Sequence, residues 1–192
     1  MRIRQVELAE SERLAGLLRS AYQAINTADI HFAASTVDQK QTYQHLTHNL
    51  SYVIEKDDQF VATVSLRLPW GNNPGPFAIP HIGWLATHPN YSKHGLATSL
   101  LLWLESHILN EQFKLPAVTL GTAINHPWLT HFYQRQGFKP IATADLGLGH
   151  ITLYFEKIID PTRYEHWLVT RNRIIAQGFE LNGKHIAIKG IN

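Results

Sequence analysis

The chain has 192 residues, which suits one domain with a substantial core, and 44% of them are hydrophobic, which argues against disorder. The net charge of +2 with neutral His is too small to indicate a nucleic-acid partner. Because the sequence contains no cysteine, disulfides, thiolate metal sites and a cysteine nucleophile are excluded.

No segment has the pattern of a leader or a membrane span. The N-terminal stretch MRIRQVELAESERL lacks an uninterrupted apolar run, so we do not expect a signal peptide. The most apolar run, GLATSLLLWLESHIL, contains Thr, Ser and Glu and is too short to cross a bilayer. We therefore expect a cytoplasmic protein without a membrane partner. The twelve histidines are spread along the chain and are interpreted by default as surface residues.

Periodicity predicts two helices and three strands before residue 80. The N-terminal strand shows alternation, the first helix has apolar residues at helical spacing, and two β-rich runs flank the turn at Asp57 and Asp58. The predicted elements are a strand at 2–8, helices at 9–25 and 35–50, a hairpin within 51–70, and a loop at 71–80. That loop is rich in Gly, Pro and Asn and long for a hairpin connection, which suggests a functional role.

The second half alternates strands and helices. The predicted elements are a strand at 81–87, a helix at 95–113, a strand at 117–123, a helix at 126–136, strands at 138–147 and 150–158, a helix at 161–178, and a hairpin at 180–190 around an Asn-Gly pair. Helices interleaved with strands in hairpins and crossovers indicate an α/β fold with a mixed sheet.

The junction that follows the strand at 81–87 reads HPNYSKHGLATSLL and contains one glycine, Gly95. A strand–loop–helix junction directs backbone N–H groups and the positive end of the helix dipole to one point, which favours an anion. Gly95 permits close approach of a ligand, and Lys93 and His94 add positive charge. The sequence contains neither a GxxxxGK[ST] pattern nor a GxGxxG after a strand. A phosphate site is predicted here, with a plain helix start as the alternative.

Two segments together resemble motifs of the GCN5-related N-acetyltransferase (GNAT) superfamily. The first family motif has the form V-x-P-x-[YF]-[QR]-x-x-G-x-[GA]-x-x-L, and the corresponding residues are Thr87, Pro89, Tyr91, Ser92, Gly95, Ala97 and Leu100. The second has the form N-x-x-[AS]-x-x-[FL]-Y-x-x-x-G-F, and the corresponding residues are Asn125, Leu129, Phe132, Tyr133, Gly137 and Phe138. The order and separation of the motifs also suit the family, and the resemblance covers about residues 1–158.

The resemblance implies a mixed, mostly antiparallel central sheet with a splayed central strand pair and helices on both faces. Residues 1–158 would form the acetyltransferase domain. Residues 159–192 would form an extension, a helix plus a hairpin, packed on the same domain or at a homodimer interface. The implied reaction is direct transfer of an acetyl group from acetyl-CoA to a primary amine in a ternary complex, with no metal.

The resemblance also assigns cosubstrate contacts. The pantetheine arm would pair with Leu85, Ala86 and Thr87 and contact Asn125. The pyrophosphate would lie on backbone amides of Lys93, His94, Gly95, Leu96, Ala97 and Thr98. Ser92 stands where the family usually has Gln or Arg, so one polar contact to the pyrophosphate is in doubt, and Lys93 or His94 could compensate. Leu129 replaces a usual small residue and is interpreted as a packing variation.

Two residues are candidates for proton transfer. Tyr133 would protonate the departing thiolate, or else would be a core aromatic residue. His81 begins the strand where histone acetyltransferases of the family carry a catalytic Glu, and an imidazole with a pKa near 6.5 would be a suitable base. The alternative for His81 is a surface residue at the end of a loop.

The acceptor cannot be identified from the sequence. A small amine, an amino acid, an aminoglycoside and a peptide N-terminus all remain open, and Trp70 could line the acceptor site or cap the core. His45 and His48 lack an evident third metal ligand, and His126 and His131 are expected to be exposed. Two further alternatives are a non-catalytic acyl-CoA-binding module and an interaction protein that works through the extension.

Overall fold

The computed structural model describes residues 1–176, and side chains up to Arg173. Its strands are β1 (Arg2–Gln5), β2 (Leu50–Lys56), β3 (Gln59–Arg67), β4 (His81–Thr87), β5 (Ala117–Ala123), β6 (Lys139–Asp145) and β7 (Ile151–Ile158). Its helices are α1 (Ser11–Gln23), α2 (Gln39–His48), α3 (Leu96–Trp103), α4 (Leu129–Arg135) and α5 (Pro161–Ala176). After Trp103, α3 continues with π-helical geometry over Leu104–Gln112. No helix within the described range is both long and apolar enough to cross a bilayer.

The predicted elements are present, with shifted ends. The first strand ends at Gln5 rather than at residue 8, because a 3₁₀ turn begins at Leu8 and the Glu7 N–H donates to Glu10 Oε2 at 3.1 Å. The helix predicted at 126–136 begins only at Leu129. The turn at Asp57 and Asp58 has both residues at positive φ, as a tight hairpin turn requires. The hairpin predicted at 180–190 lies outside the described residues.

The sheet is mixed, with strand order β1-β2-β3-β4-β5-β7-β6. Every neighbouring pair is antiparallel except β4 and β5, which are parallel. These two central strands pair only at His81 with Thr119 and at Ile82 with Leu120, and then separate. The expected fold class, including its splayed central pair, is therefore confirmed. We call the gap between the separated ends of β4 and β5 the seam.

Helices cover both faces of the sheet. Successive strand residues point to opposite faces, so neighbouring residues of one strand pack against different helices. In β2, Tyr52 and Ile54 belong to a core cluster with three buried leucines of α3, whereas Val53 belongs to a cluster with Leu14 and Leu18 of α1. Strand β4 contributes to both clusters, so α1 and α3 pack on opposite faces of the sheet beside the seam.

A charged network ties β1 and α1 to β2. The Glu55 carboxylate accepts hydrogen bonds from Arg2, Arg4 and Arg13 at 2.9–3.0 Å, and its side chain is only 7% exposed. The hydrogen bond from Arg4, followed by that from Arg2, holds the pKa of Glu55 well below its usual range. This network fixes the start of α1, whose other end reaches the seam.

Candidate active site

An irregularity in β4 lies next to the seam. Between Thr63 and Ser65 of β3 the register with β4 shifts by one residue, and Trp84 of β4 has φ +48°. A bulky residue in the left-handed region is strained, and such strain persists only where the surroundings hold it. The Trp84 ring stacks on His45 of α2 with centroids 3.6 Å apart, which holds the bulge in place. Burial, followed by the charge of Arg67, lowers the pKa of His45 to about 4.

A cavity of about 660 Å³ opens beside the end of β4, and we call it the first cavity. Its walls come from the ends of α1 and β4, the 89–98 segment and α4. Predicted cosubstrate residues that line it are Leu85, Ala86, Thr87, Ser92, Lys93, Gly95, Leu96, Ala97, Thr98 and Tyr133. His94 and Asn125 are not among the residues that line this cavity. The structure thus brings together most of the residues that the motifs indicated.

Gly95 forms the N-terminal cap of α3 in the left-handed conformation, with φ +74°. A Cβ built on Gly95 would meet no protein atom within 4 Å, so the backbone here borders open space. The first amides of a helix have no intrahelical acceptor, which leaves those of Leu96, Ala97 and Thr98 available at the cavity wall. This geometry favours a bound anion because the helix dipole adds to the amide donors.

The side chains around Gly95 differ in their availability. The Ser92 hydroxyl donates to the Pro89 carbonyl oxygen at 2.8 Å, and a His94 ring nitrogen lies 2.9 Å from the Ser92 carbonyl oxygen. Lys93 lines the cavity, and no hydrogen bond or ion pair of its ammonium is found within the described part of the chain. Of the two side chains expected to compensate for Ser92, Lys93 lines the cavity and His94 does not.

Tyr133 lies at the inner wall of the first cavity and is 8% exposed. Its ring packs edge-on against Phe132 and Phe138, and burial raises the pKa of its hydroxyl. Among residues 1–173 the hydroxyl has no hydrogen-bond partner, so it is free to donate to a ligand. Across the cavity, the Tyr22 hydroxyl lies 3.4 Å from the Leu85 carbonyl oxygen.

Asn125 and His126 differ from expectation. Asn125 is exposed in the turn before α4, away from the lining of the first cavity. His126, expected to be exposed, is buried, and its Nε2 lies 3.0 Å from the Ile25 carbonyl oxygen. This contact ties the turn before α4 to the segment just after α1. His131 is exposed, as predicted.

A second cavity, of about 920 Å³, lies toward the start of β4. Its walls come from the segment after α1, the end of β3, the 69–76 loop, β5 and the β6–β7 connection. The residues that line it include His31, Phe32, Arg67, Trp70, His81, Gly121, His150 and Tyr154. Trp70 is 63% exposed at this cavity, which favours a ligand wall over a core cap. Tyr22 of the first cavity and Phe32 of the second have ring centroids 5.6 Å apart, so the cavity walls touch.

His81 lies in the wall of the second cavity and is buried rather than at the surface. Its Nδ1 lies 2.9 Å from Thr119 Oγ1, and that hydroxyl donates to the Pro80 carbonyl oxygen at 3.2 Å. Since the Thr119 proton is used, Nδ1–H is the donor, and the Nε2 lone pair is left without a partner among the described residues. Burial, followed by the charge of Arg67, lowers the pKa of His81 to about 3, well below the expected 6.5.

Three features of the site could hardly be predicted from the sequence. Arg67 is the last residue of an ordinary β-strand, Thr119 lies in a short apolar strand, and the bulge at Trp84 is indicated only by the neighbouring Gly83. His45 and His48 do not form a metal cluster: no group of three or more His, Cys, Asp or Glu that could hold a metal ion occurs among the described residues.

Comparison with known proteins agrees with this geometry. The model of the Acetyltransferase (GNAT) family matches residues 14–138, which covers both cavities' principal strands and the Gly95 junction. The chain belongs to the GNAT family. It is 44% identical to the S-(2-succino)cysteine N-acetyltransferase of Bacillus subtilis over 148 residues, 77% of this chain and 90% of that protein.

Two further relatives extend the likeness. The S-alkylcysteine N-acetyltransferase of Bacillus subtilis is 30% identical over 167 residues, 86% of this chain and 93% of that protein. The crystal structure of the PaiA N-acetyltransferase from Thermoplasma acidophilum in complex with coenzyme A is similar in fold, with a TM-score of 0.61 at 15% identity over 82% of this chain and 98% of that chain. The chain is therefore an N-acetyltransferase, rather than a non-catalytic binding module.

Proposed function

We propose that this N-acetyltransferase moves the acetyl group of acetyl-CoA directly to the α-amine of an S-substituted cysteine. The observation that carries the proposal is the seam, with one cavity toward the end of β4 and another toward its start. A thioester in the first cavity and an amine in the second would meet where β4 and β5 separate. Relatives that cover most of this chain are named for cysteine derivatives, which supports this class of acceptor.

Acetyl-CoA fits the first cavity by chemistry. Amides at the start of α3 and the Lys93 ammonium suit the pyrophosphate, and Leu85, Ala86 and Thr87 of β4 suit the amide-bearing pantetheine arm. The similar PaiA acetyltransferase was crystallised with coenzyme A, which supports this cosubstrate. Asn125 is not part of the proposed contact set because it does not line the cavity.

The reaction forms a C–N bond and an S–H bond, and it breaks a C–S bond and an N–H bond. The neutral amine attacks the thioester carbonyl, the C–N bond forms, and the C–S bond breaks to release the CoA thiolate. The proton that the amine nitrogen loses passes to water, and water later restores the proton that Tyr133 gives up. Backbone N–H groups of the separated β4 would stabilise the oxyanion, and the unpartnered Tyr133 hydroxyl would give its proton to the thiolate. Much of the acceleration would come from holding amine and thioester together in the seam.

His81 would accept a hydrogen bond from the attacking amine through its free Nε2. Its low pKa keeps the imidazole neutral throughout the physiological range, so the lone pair is always present. We expect His81→Ala to lower turnover at pH 7 at least about tenfold, with acetyl-CoA affinity unchanged because His81 lies outside the first cavity. Unchanged turnover in a thiol-release assay would remove His81 from the mechanism.

A thiol-release assay with different acceptors tests the proposed function. Purified protein with acetyl-CoA would be offered S-methyl-L-cysteine, S-(2-succino)cysteine, free lysine and an aminoglycoside. We expect rapid release of CoA thiol with the two cysteine derivatives and little with the other amines. Equal release with all four would contradict the acceptor class, and no release with any amine would contradict the whole proposal.

A further inference from the structure

Arg67 is a partly buried cation at the end of β3, directly opposite His81 in the β3–β4 pairing. Its Nε donates to the Asn73 carbonyl oxygen at 2.9 Å. Its Nη2 donates to Asn73 Oδ1 at 2.9 Å and to the Pro74 carbonyl oxygen at 2.6 Å. Three of the five guanidinium N–H groups are thus used to hold the 71–80 loop. Nη1 and its two N–H groups have no acceptor in the part of the chain that the structure describes.

No carboxylate among residues 1–173 pairs with this charge. None of the ion pairs formed by the described residues includes Arg67, although the other partly buried arginines nearest the sheet, such as Arg4, contact two carboxylates. Burial lowers the pKa of Arg67, because the guanidinium has lost part of its hydration. A partly buried charge is costly unless it is paired, and Arg67 is one of the residues that line the second cavity.

The 71–80 loop is held next to Arg67 at two points. The guanidinium donates to Asn73 and Pro74, and a Cβ added at Gly75 would clash with the Cβ of His81, so the loop also packs directly on the histidine. No Asp or Glu is among the residues that line the second cavity, so Arg67 makes this wall favour an anion over a second cation.

We propose that Nη1 of Arg67 binds a carboxylate of the acceptor amino acid and thereby makes Arg67 a specificity-determining residue. The proposal rests on the proposed function, because it places the acceptor in the second cavity. A guanidinium whose Nη1 has two free N–H donors is well suited to a carboxylate, because charge-assisted hydrogen bonds are the strong ones. Arg67 and His81 face each other, so a carboxylate on Arg67 would bring the adjoining amine near the seam. The carboxylate would also reduce the positive field at His81 and so make its Nε2 a better proton acceptor.

Three acceptors distinguish the possible sources of the carboxylate. S-methyl-L-cysteine carries only the α-carboxylate, S-methyl-L-cysteinamide carries none, and S-carboxymethyl-L-cysteinamide carries only one on the S-substituent. The kcat/KM of each is measured by thiol release for the wild type, Arg67→Gln, Arg67→Lys and the control Arg163→Gln. Arg163 is a suitable control because its Nη1 donates to both the backbone carbonyl oxygen and the side-chain Oδ1 of Asn110. Arg163 lines neither cavity.

We expect Arg67→Gln to lower kcat/KM for a carboxylate-bearing acceptor by about 30-fold or more, mainly through KM, since truncation leaves the carboxylate unpaired. If S-methyl-L-cysteine loses its higher kcat/KM relative to S-methyl-L-cysteinamide, Arg67 binds the α-carboxylate. If S-carboxymethyl-L-cysteinamide loses it, Arg67 binds the carboxylate on the S-substituent. The loss for S-methyl-L-cysteinamide should be smaller by about tenfold or more, and the affinity for acetyl-CoA should change less than about threefold. Arg67→Lys keeps the charge but lacks the planar guanidinium with its Nη1 donors, so it should show an intermediate loss. This variant also covers the case in which the glutamine variant fails to fold.

Two results would overturn the inference. One is a variant Arg67→Gln whose kcat/KM still favours the carboxylate-bearing acceptors over S-methyl-L-cysteinamide as strongly as the wild type does. The other is an equal loss for all three acceptors, which would assign Arg67 to support of the loop alone. If the wild type acetylates none of the three while acetyl-CoA binds, the proposed function itself has failed, and this result is separate from either outcome above.

Discussion

Gly95 offers a sharp test of the proposed pyrophosphate site, because strain and ligand binding can be measured separately there. Its φ of +74° lies in the left-handed region, and the space around its missing Cβ is free of protein atoms. We expect Gly95→Ala to fold, to lose modest stability and to bind acetyl-CoA much more weakly.

The two magnitudes follow from the geometry. A non-glycine residue in the left-handed conformation costs about 1–2 kcal/mol, which for a chain of this size lowers Tm by roughly 2–8 °C. The added methyl group would stand where the pyrophosphate approaches the amides of Leu96 and Ala97. Loss of one hydrogen bond to a charged group costs about 1.5–3 kcal/mol, or about 10- to 150-fold in Kd.

Gly147→Ala provides the matched control. Gly147 has φ +70°, its missing Cβ also meets no protein atom within 4 Å, and it lies in the β6–β7 connection outside the first cavity. Calorimetric titration with acetyl-CoA and thermal unfolding would be measured for both variants. A similar loss of Tm with a selective loss of affinity in Gly95→Ala supports the reasoning. An acetyl-CoA Kd for Gly95→Ala within about threefold of that of Gly147→Ala would refute it.

Further variants test other parts of the structure. Tyr133→Phe should lower kcat at least about tenfold while acetyl-CoA affinity stays constant, because only the proton donor is lost. The control Tyr52→Phe, which changes another buried tyrosine, should leave kcat unchanged. A normal kcat for Tyr133→Phe would exclude Tyr133 as the acid. Lys93→Ala should weaken acetyl-CoA binding severalfold and His94→Ala should not, as titration would show; no change in either would leave the backbone as the sole anchor. The folded-state pKa of Glu55 is lowered, so its contribution to stability is present above pH about 4.5 and is lost as pH falls through the folded value. Urea unfolding of Glu55→Gln should therefore show a deficit at pH 7 that shrinks by pH 3, and an equal deficit at both values would contradict the ionic explanation.

Much of the fold was predictable because local patterns and tertiary structure agree. Alternation in β2 and helical spacing in α1 match the two faces that the sheet buries, and Gly95 stands at the turn that requires it. Most residues that line the first cavity belong to the two motifs or to the end of the preceding strand, so the motifs were sufficient to find it, whereas its wall at the end of α1 was not indicated by them.

The second cavity was not predictable in the same way. Its properties depend on Arg67 and His81, which lie opposite each other only after β3 and β4 pair, and on burial that shifts the pKa of His81. The strained Trp84 depends on a stack with His45, 39 residues away in sequence. The burial of His126 likewise depends on the distant Ile25 carbonyl. Such contacts arise from three-dimensional packing and leave no local pattern.

The short pairing between β4 and β5 divides the sheet into a four-stranded half and a three-stranded half joined by two residue pairs. A ligand that occupies the seam and bonds to β4 would act as a missing strand and couple the halves into one cooperative unit. Ligand at 100 times its Kd adds about 2.7 kcal/mol to the free energy of unfolding. We therefore expect amide hydrogen exchange along Gly83–Thr87 to slow on addition of acetyl-CoA, so that the cosubstrate is a part of the folded sheet during each catalytic cycle.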